Sequence, residues 1–200
     1  MAPVEESWTR ITNLLNVTAF EPSLVPLVSE ALDRPLPPDL AEWWRVGGCA
    51  ERLIPLEHTP LPIPAALEAR RDRLDQALRH GDSIVDGEAG DPSHGFHSAF
   101  IPIAHDPHGR HLFVDLRGGP LHGCVGEWDD IGGFVDVISW PSVAEMLGDI
   151  ADALVYGVPA MTFHAAGRLR HFAGHPEVPV VTCRATVTPS GELTWGASGS

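Results

Sequence analysis

A chain of 200 residues, 44% hydrophobic and 20% charged, is long enough to bury a core and fits one domain, at most with an appendage. Its formal net charge of -14 excludes a phosphate-tracking nucleic-acid binder, which needs clustered cations, and suits a basic partner. All 13 basic residues are arginine, so chemistry built on a P-loop lysine or a lysine Schiff base is excluded too.

The first 50 residues read as helical. Val4, Trp8, Ile11 and Leu15 fall at helical spacing after Pro3. Leu24, Leu27, Val28, Ala31 and Leu32 form a second apolar stripe, with Ser23 as the expected N-cap and Pro26 tolerable in the first turn. Pro37-Pro38-Asp39 opens a third helix carrying Leu40, Trp43 and Trp44, and Gly47-Gly48 ends it. Adjacent tryptophans on a helix point about 100° apart, so one is expected in the core and the other half-exposed or covered by the tail. A proline-rich connector over residues 53 to 63 leads into a helix from Pro64 to His80, with Leu67, Leu74 and Leu78 on its inner side. Residues 81 to 95 are polar, acidic and Gly-rich, and read as a mobile loop.

The β signal begins at Ala99. Residues 99 to 103 form a short strand whose Pro102 belongs at an edge or strand end. His105-Asp106-Pro107-His108-Gly109 is turn chemistry. From His111 to Leu116 the chain alternates, Leu112, Val114 and Leu116 facing one way and His111, Phe113 and Asp115 the other. After a turn at residues 117 to 120, His122 to Glu127 continues an antiparallel meander. Ser142 to Tyr156 is the clearest helix, opened by the capping box Ser142-Val143-Ala144-Glu145 and stopped by Gly157 and Pro159. Its stripe of Val143, Met146, Leu147, Ile150 and Leu154 is expected to face the sheet. The tail returns to β character over Val178 to Val187 and Glu192 to Trp195, around a turn at Pro189-Ser190-Gly191. Helices, then a meander, then a closing helix predict an α+β fold, with residues 1–160 as the domain and 161–200 as a β-hairpin extension packed on it.

Several motifs resemble the SUKH superfamily of bacterial toxin-immunity proteins and fungal cell-wall-assembly regulators. Leu36-Pro37-Pro38-Asp39-Leu40 with Trp43-Trp44 and Gly47-Gly48 is similar to its opening. Phe100-Ile101-Pro102-Ile103, Gly109, Leu112 to Leu116 and Gly123-Cys124-Val125-Gly126 resemble its central sheet, and Trp140-Pro141-Ser142-Val143 its closing element. The likeness runs from about Trp8 to Pro159. It implies a twisted, mainly antiparallel sheet flanked by helices, structural roles for Trp8, Leu36, Pro37, Leu40, Trp43, Gly48, Pro102, Gly109 and Gly126, and a non-catalytic task of holding a protein partner. One departure stands at Arg110-His111, where the family often carries a small or acidic residue after the glycine.

The remaining candidates concern chemistry. His105, Asp106, His108 and His111 crowd together, but a tight turn seldom presents four tetrahedral ligands, and no metal or other cofactor is expected. His175-Pro176-Glu177 imitates half of a zinc-deaminase signature whose Pro-Cys-x-x-Cys half is missing. Cys124 with His122 is a pair on one strand face, and Cys49, Cys124 and Cys183, which form no C-x-x-C pair, read as small buried thiols of a reducing compartment. Asp115, Glu127, Asp129, Asp130 and Asp136 offer carboxylates for a hydrolase, the less favoured use of them. The preferred use is an acidic contact face of Asp106, Asp115, Glu127, Trp128, Asp129 and Asp130, aimed at a basic protein such as a nuclease toxin domain. The competing account of Trp128 is a ring folded into the core. A small-molecule or metal sensor using the cleft near the His105–His111 turn is the alternative function. Residues Met1 to Trp8 are acidic and lack a signal-peptide core, and no apolar run reaches membrane length, so a cytoplasmic location is expected, with neither membrane nor nucleic acid as partner.

Overall fold

The computed structural model of the protein describes residues 4–32, 34–81, 87–93, 95–129, 133–161 and 182–198. The fold is α+β. Helix α1 (Val4–Thr12) buries Val4, Ser7, Trp8 and Ile11, with Glu5 and Glu6 in its first turn and Arg10 in its last, the order its dipole favours. Strand β1 (Thr18–Ala19) leads to a 3-10 turn at Pro22–Leu24 and helix α2 (Val25–Leu32). Ser23 sits inside that turn and its hydroxyl donates to Glu21 Oε1 at 3.3 Å, so it is no N-cap; the 3-10 turn, not a side chain, starts the helix.

Helix α3 (Pro38–Val46) places both Trp43 and Trp44 wholly inside, against the expectation that one would be half-exposed. The reason is enclosure on several sides, by α1, by α2 and its 3-10 turn, and by the late helix α5 (Val143–Tyr156). Trp43 meets Phe20 edge to face at 5.6 Å. Asp39 ties the two helix starts together: Oδ1 accepts from Leu40 N, and Oδ2 from Ala144 N at 2.9 Å in the first turn of α5. Strand β2 (Gly48–Cys49) pairs with β1, and a Cβ at Gly48 would run into the Thr18 carbonyl.

The connector is ordered by a bridge in which Ile54 and His58 exchange both backbone bonds. Arg52 just before it and Leu56 and Glu57 within it hold positive φ of 54°, 62° and 66°, a conformation costly for residues with a Cβ. After β3 (Thr59–Pro60), helix α4 (Ile63–His80) buries Ile63, Ala66 and Ala77 and stops at Gly81 in the left-handed region. Leu78 is 77% exposed, which corrects the expected stripe. The contact line steps from half-buried Leu74 to Ala77, three residues on, and carries Leu78 out to solvent.

Strands β4 (Phe100–His105), β5 (His111–Asp115), β6 (Val125–Asp129) and β7 (Gly133–Trp140) complete an antiparallel sheet in the order β3-β4-β5-β6-β7. The meander is as expected in β4 and β5, but the expected strand from His122 begins only at Val125, because residues 121–123 form a turn, and β7 is a strand that the sequence reading did not mark although Phe134, Val135, Val137, Ile138 and Trp140 favour one. Pro102 lies on an inner strand, not an edge, and a register shift between Pro102 and Ala104 accommodates it. The predicted alternation of β5 is real and both faces are covered. Leu112 and Val114 join Ile101, Ile103 and Val125 in the larger core beneath the helices. Phe113 joins Phe96, Phe100, Cys124, Trp128 and Ile138 in a second core beneath the end of α4 and the segment before β4.

Helix α5 begins with Ser142 Oγ accepting from Glu145 N at 3.1 Å and ends at Gly157, φ 66°. Val143, Met146, Leu147 and Ile150 are buried and Leu154 is half-buried, and the helix packs on α1, α3, β8 and β7. The expected stripe is the buried one, and it shares the larger core with Ile101, Ile103, Leu112, Val114 and Val125 of the sheet, while Arg10 of α1 reaches the half-exposed Asp152. Strands β8 (Thr182–Val187) and β9 (Leu193–Ser198) form a hairpin that shares the larger core through Cys183 and Leu193. Trp195 Nε1 donates to the Arg52 carbonyl at 2.9 Å. Val178 to Val181 and His175-Pro176-Glu177 lie outside the described residues. Among the described residues no helix is long and apolar enough to cross a membrane.

Candidate contact site at the end of the central sheet

The turn between β4 and β5 is built around Asp106. Its Oδ1 accepts from His108 N at 2.9 Å and Arg110 N at 2.8 Å, Asp106 N donates back to Arg110 O at 3.0 Å, and Gly109 takes φ 89°. The guanidinium of Arg110 then bridges two carboxylates, donating from Nε to Asp106 Oδ2 at 2.7 Å and from Nη1 to Glu127 Oε1 at 3.0 Å. Burial pushes the Asp106 carboxyl up, but the N–H groups and the charge of Arg110 outweigh it and hold the group below the usual aspartate range. The carboxylates here serve as acceptors that shape a turn.

Behind the turn, His58 is buried. Its Nδ1 donates to the Pro55 carbonyl at 3.0 Å, and burial lowers its pKa to about 4, so the ring is neutral at physiological pH. From the other side Arg73 of α4 donates to the Gly109 carbonyl at 3.1 Å and lies 3.1 Å from His111 Nδ1. A cleft of about 390 Å³ opens between His111 and the α4 residues Glu68, Asp72, Arg73 and Gln76.

Asp115 is in a different place. It is fully buried in the second core's layer and paired with Arg117, whose Nη2 donates to its Oδ2 at 2.7 Å. Gly90 N also donates to Asp115 at 2.9 Å, and Arg117 Nη2 to the Asp91 carbonyl at 2.6 Å. The Arg117 guanidinium lies 5.0 Å over the Phe100 ring. Residues 87–93, read from sequence as part of a mobile loop, are instead pinned here, because a buried carboxylate must collect donors wherever the chain can supply them.

The six residues expected to form one acidic face therefore divide. Asp106 and Glu127 meet through Arg110. Asp115 faces the interior, and Trp128, 6% exposed, is folded against Phe96 at 5.3 Å between ring centres, the competing account of that ring. Asp129 closes β6 opposite Gly133, Asp130 lies outside the described residues, and Asp136 falls within β7. Sequence reading named the carboxylates and missed Arg110 and Arg117, although spacings of four residues across a turn and two along the chain were visible signals.

Other chemistry is constrained by burial. The Cys124 thiol is pushed up to about 12, first by desolvation and then by Asp115, so its nucleophilic form is scarce. Among the described residues no group of three or more His, Cys, Asp or Glu is placed to hold a metal ion. Of the residues given structural roles, Trp8, Pro37, Leu40, Trp43 and Pro102 are buried, Leu36 is half-buried, and a Cβ on Gly126 would press on the Phe113 ring at 2.8 Å. No family model matches the chain, and a search of curated proteins finds no match either.

Proposed function

We propose that the chain is a non-catalytic protein-binding domain of the SUKH type, a cytoplasmic immunity or scaffold protein that binds a basic partner and blocks or localises it. The β6–β7 hairpin carries this reading. Trp128 wedges its root into the second core, Arg110 holds Glu127, and the acidic pair Asp129-Asp130 follows at the point where β6 ends. A well-packed strand end leading into an acidic stretch of sequence suits a partner whose active site is basic in order to hold phosphate, as in a nuclease toxin domain. The net charge of -14 adds long-range steering.

The test pairs the purified protein with a toxin domain encoded beside its gene. Association should slow as salt rises, and the double substitution Asp129→Asn with Asp130→Asn should slow it by roughly tenfold while leaving the melting curve in place. A partner whose association ignores both ionic strength and these substitutions would remove Asp129 and Asp130 from the interface. The cleft beside His111 supports a second reading, a small-molecule sensor. A ligand screen by thermal shift, repeated on Arg73→Ala, decides it: a hit lost in the variant places the ligand in the cleft.

A further inference from the structure

Arg10, Arg52, Arg71, Arg110 and Arg117 each lie within ion-pair distance of a carboxylate. Arg34 and Arg70 have no carboxylate partner among the described residues, although the chain carries 27 acidic residues. Instead the fold brings the two together. Arg70, in the middle of α4, donates from Nη2 to the Ser98 carbonyl at 2.5 Å. Arg34, just after α2, donates from Nη1 to the Leu116 carbonyl at 3.5 Å. The two carbonyls belong to neighbouring parts of the sheet, since Leu116 N donates to Ala99 O at 2.9 Å. Arg34 is exposed and Arg70 half-buried, with its Nε buried and without a hydrogen-bond partner among the described residues. Burial lowers the Arg70 pKa from its usual value and the charge of Arg34 lowers it further, so the two cations act on each other. Such a pair raises the free energy of the chain alone, and an anion seated against both relieves it.

We propose that Arg34 and Arg70 form a binding site for a phosphate group, free or carried by a small molecule, which the two guanidiniums hold between them. Guanidinium forks match phosphate oxygens, and a doubly charged group answers two cations at once, which a single carboxylate does not. Charge also sets the size of the occupant. A net charge of -14 repels a polyanion such as nucleic acid, whereas a small anion within a Debye length of the pair is governed by the local cations. The site lies at the far end of the sheet from Asp129. His111 pairs with Trp128 at one end of β5, and Asp115 pairs with Phe100 at the other, next to Leu116. Phosphate binding here is therefore separate from partner binding at the acidic end, and its test needs no partner.

Inorganic phosphate and glycerol 3-phosphate are the probes, titrated into the full chain at constant ionic strength, with chloride and acetate as controls. Calorimetry and the thermal midpoint are the readouts. One phosphate group per chain should bind saturably and raise the midpoint, and the controls should do neither. Tighter binding of the free ion or of the ester identifies the source, and either result supports the site. Arg34→Gln should weaken binding by about tenfold or more. Because it removes a like charge and only a long bond, it should leave the phosphate-free midpoint in place or raise it. Arg70→Gln should weaken binding as much, at a lowered midpoint because the Ser98 bond is lost. If that variant does not fold, Arg34→Gln decides alone. Arg79→Gln, an exposed arginine farther along α4, should bind as the unaltered chain does. A phosphate response no larger than that to acetate overturns the proposal, leaving an effect of ionic strength. So does full binding by Arg34→Gln, or an equal loss in Arg79→Gln.

Discussion

Arginine decides what most of the described carboxylates in this sheet do. Asp115 and Arg117 are both buried, so their attraction must offset two desolvation costs, and removing one partner is far worse than removing both. Arg117→Ala should destabilise by about 3–5 kcal/mol in chemical denaturation, with Asp115→Leu in the same chain recovering part of the loss. Full recovery is not expected, since Arg117 also binds the Asp91 carbonyl and covers Phe100. His58 makes the second residue-scale prediction. Its folded pKa, about 4, lies below the ordinary 6.5, so between those values the unfolded chain binds the proton and the folded chain does not. Stability contributed at this site is complete above pH 6.5 and is lost as pH falls toward 4, by about 3 kcal/mol if the whole shift is expressed. His58→Gln should flatten that part of the profile. Asp106, held below its usual range, sheds its contribution at lower pH still, which separates the two groups.

At the scale of elements, α5 is the member whose loss should cost most. Leu147 is fully buried in the larger core, so Leu147→Ala should cost about 2–5 kcal/mol through lost burial and a residual cavity. The N-cap is a smaller and independent contribution: Ser142→Ala releases one hydrogen bond to Glu145 N and should cost about 1 kcal/mol. Urea melts of the two single variants and the double variant check both magnitudes. Near-additivity is expected, because the cap bond from Glu145 N to Ser142 Oγ does not involve the Leu147 side chain. An unchanged midpoint for Leu147→Ala would mean that α5 is not seated as described.

At the scale of the whole molecule, the C-terminal hairpin is held by core residues and by one long-range bond. Trp195 reaches the carbonyl of Arg52, a residue already in a strained left-handed conformation, and Cys183 and Leu193 enter the larger core. Trp195→Ala should lower the thermal midpoint by several degrees while keeping one transition, because the hairpin melts with the core it helps to cover. Two resolved transitions by calorimetry would show instead that the hairpin is a separate unit. The same shared core explains why the 160/161 division is a boundary in composition and not in packing.

Local signals carried the elements that depend only on near neighbours. The cap at Ser142, the stop at Gly157, the turn at Asp106–Gly109 and the alternation of Leu112, Phe113 and Val114 were all legible, because each is decided within a few residues of chain. Contacts between distant segments decided the rest. The burial of both Trp43 and Trp44 required α5 to arrive from a hundred residues away, signalled by nothing near them. Strand β7, with Phe134, Val135, Val137, Ile138 and Trp140, carries a strong local β signal that was legible and went unread; its irregular register against β6 was not. Leu78 and Trp128 both departed from the preferred reading, one carried outward by helical drift and one seated inward among phenylalanines, as the competing account of that ring had it. The carboxylates were visible in the sequence, but which of them an arginine would neutralise depended on where the folded chain brings its parts together.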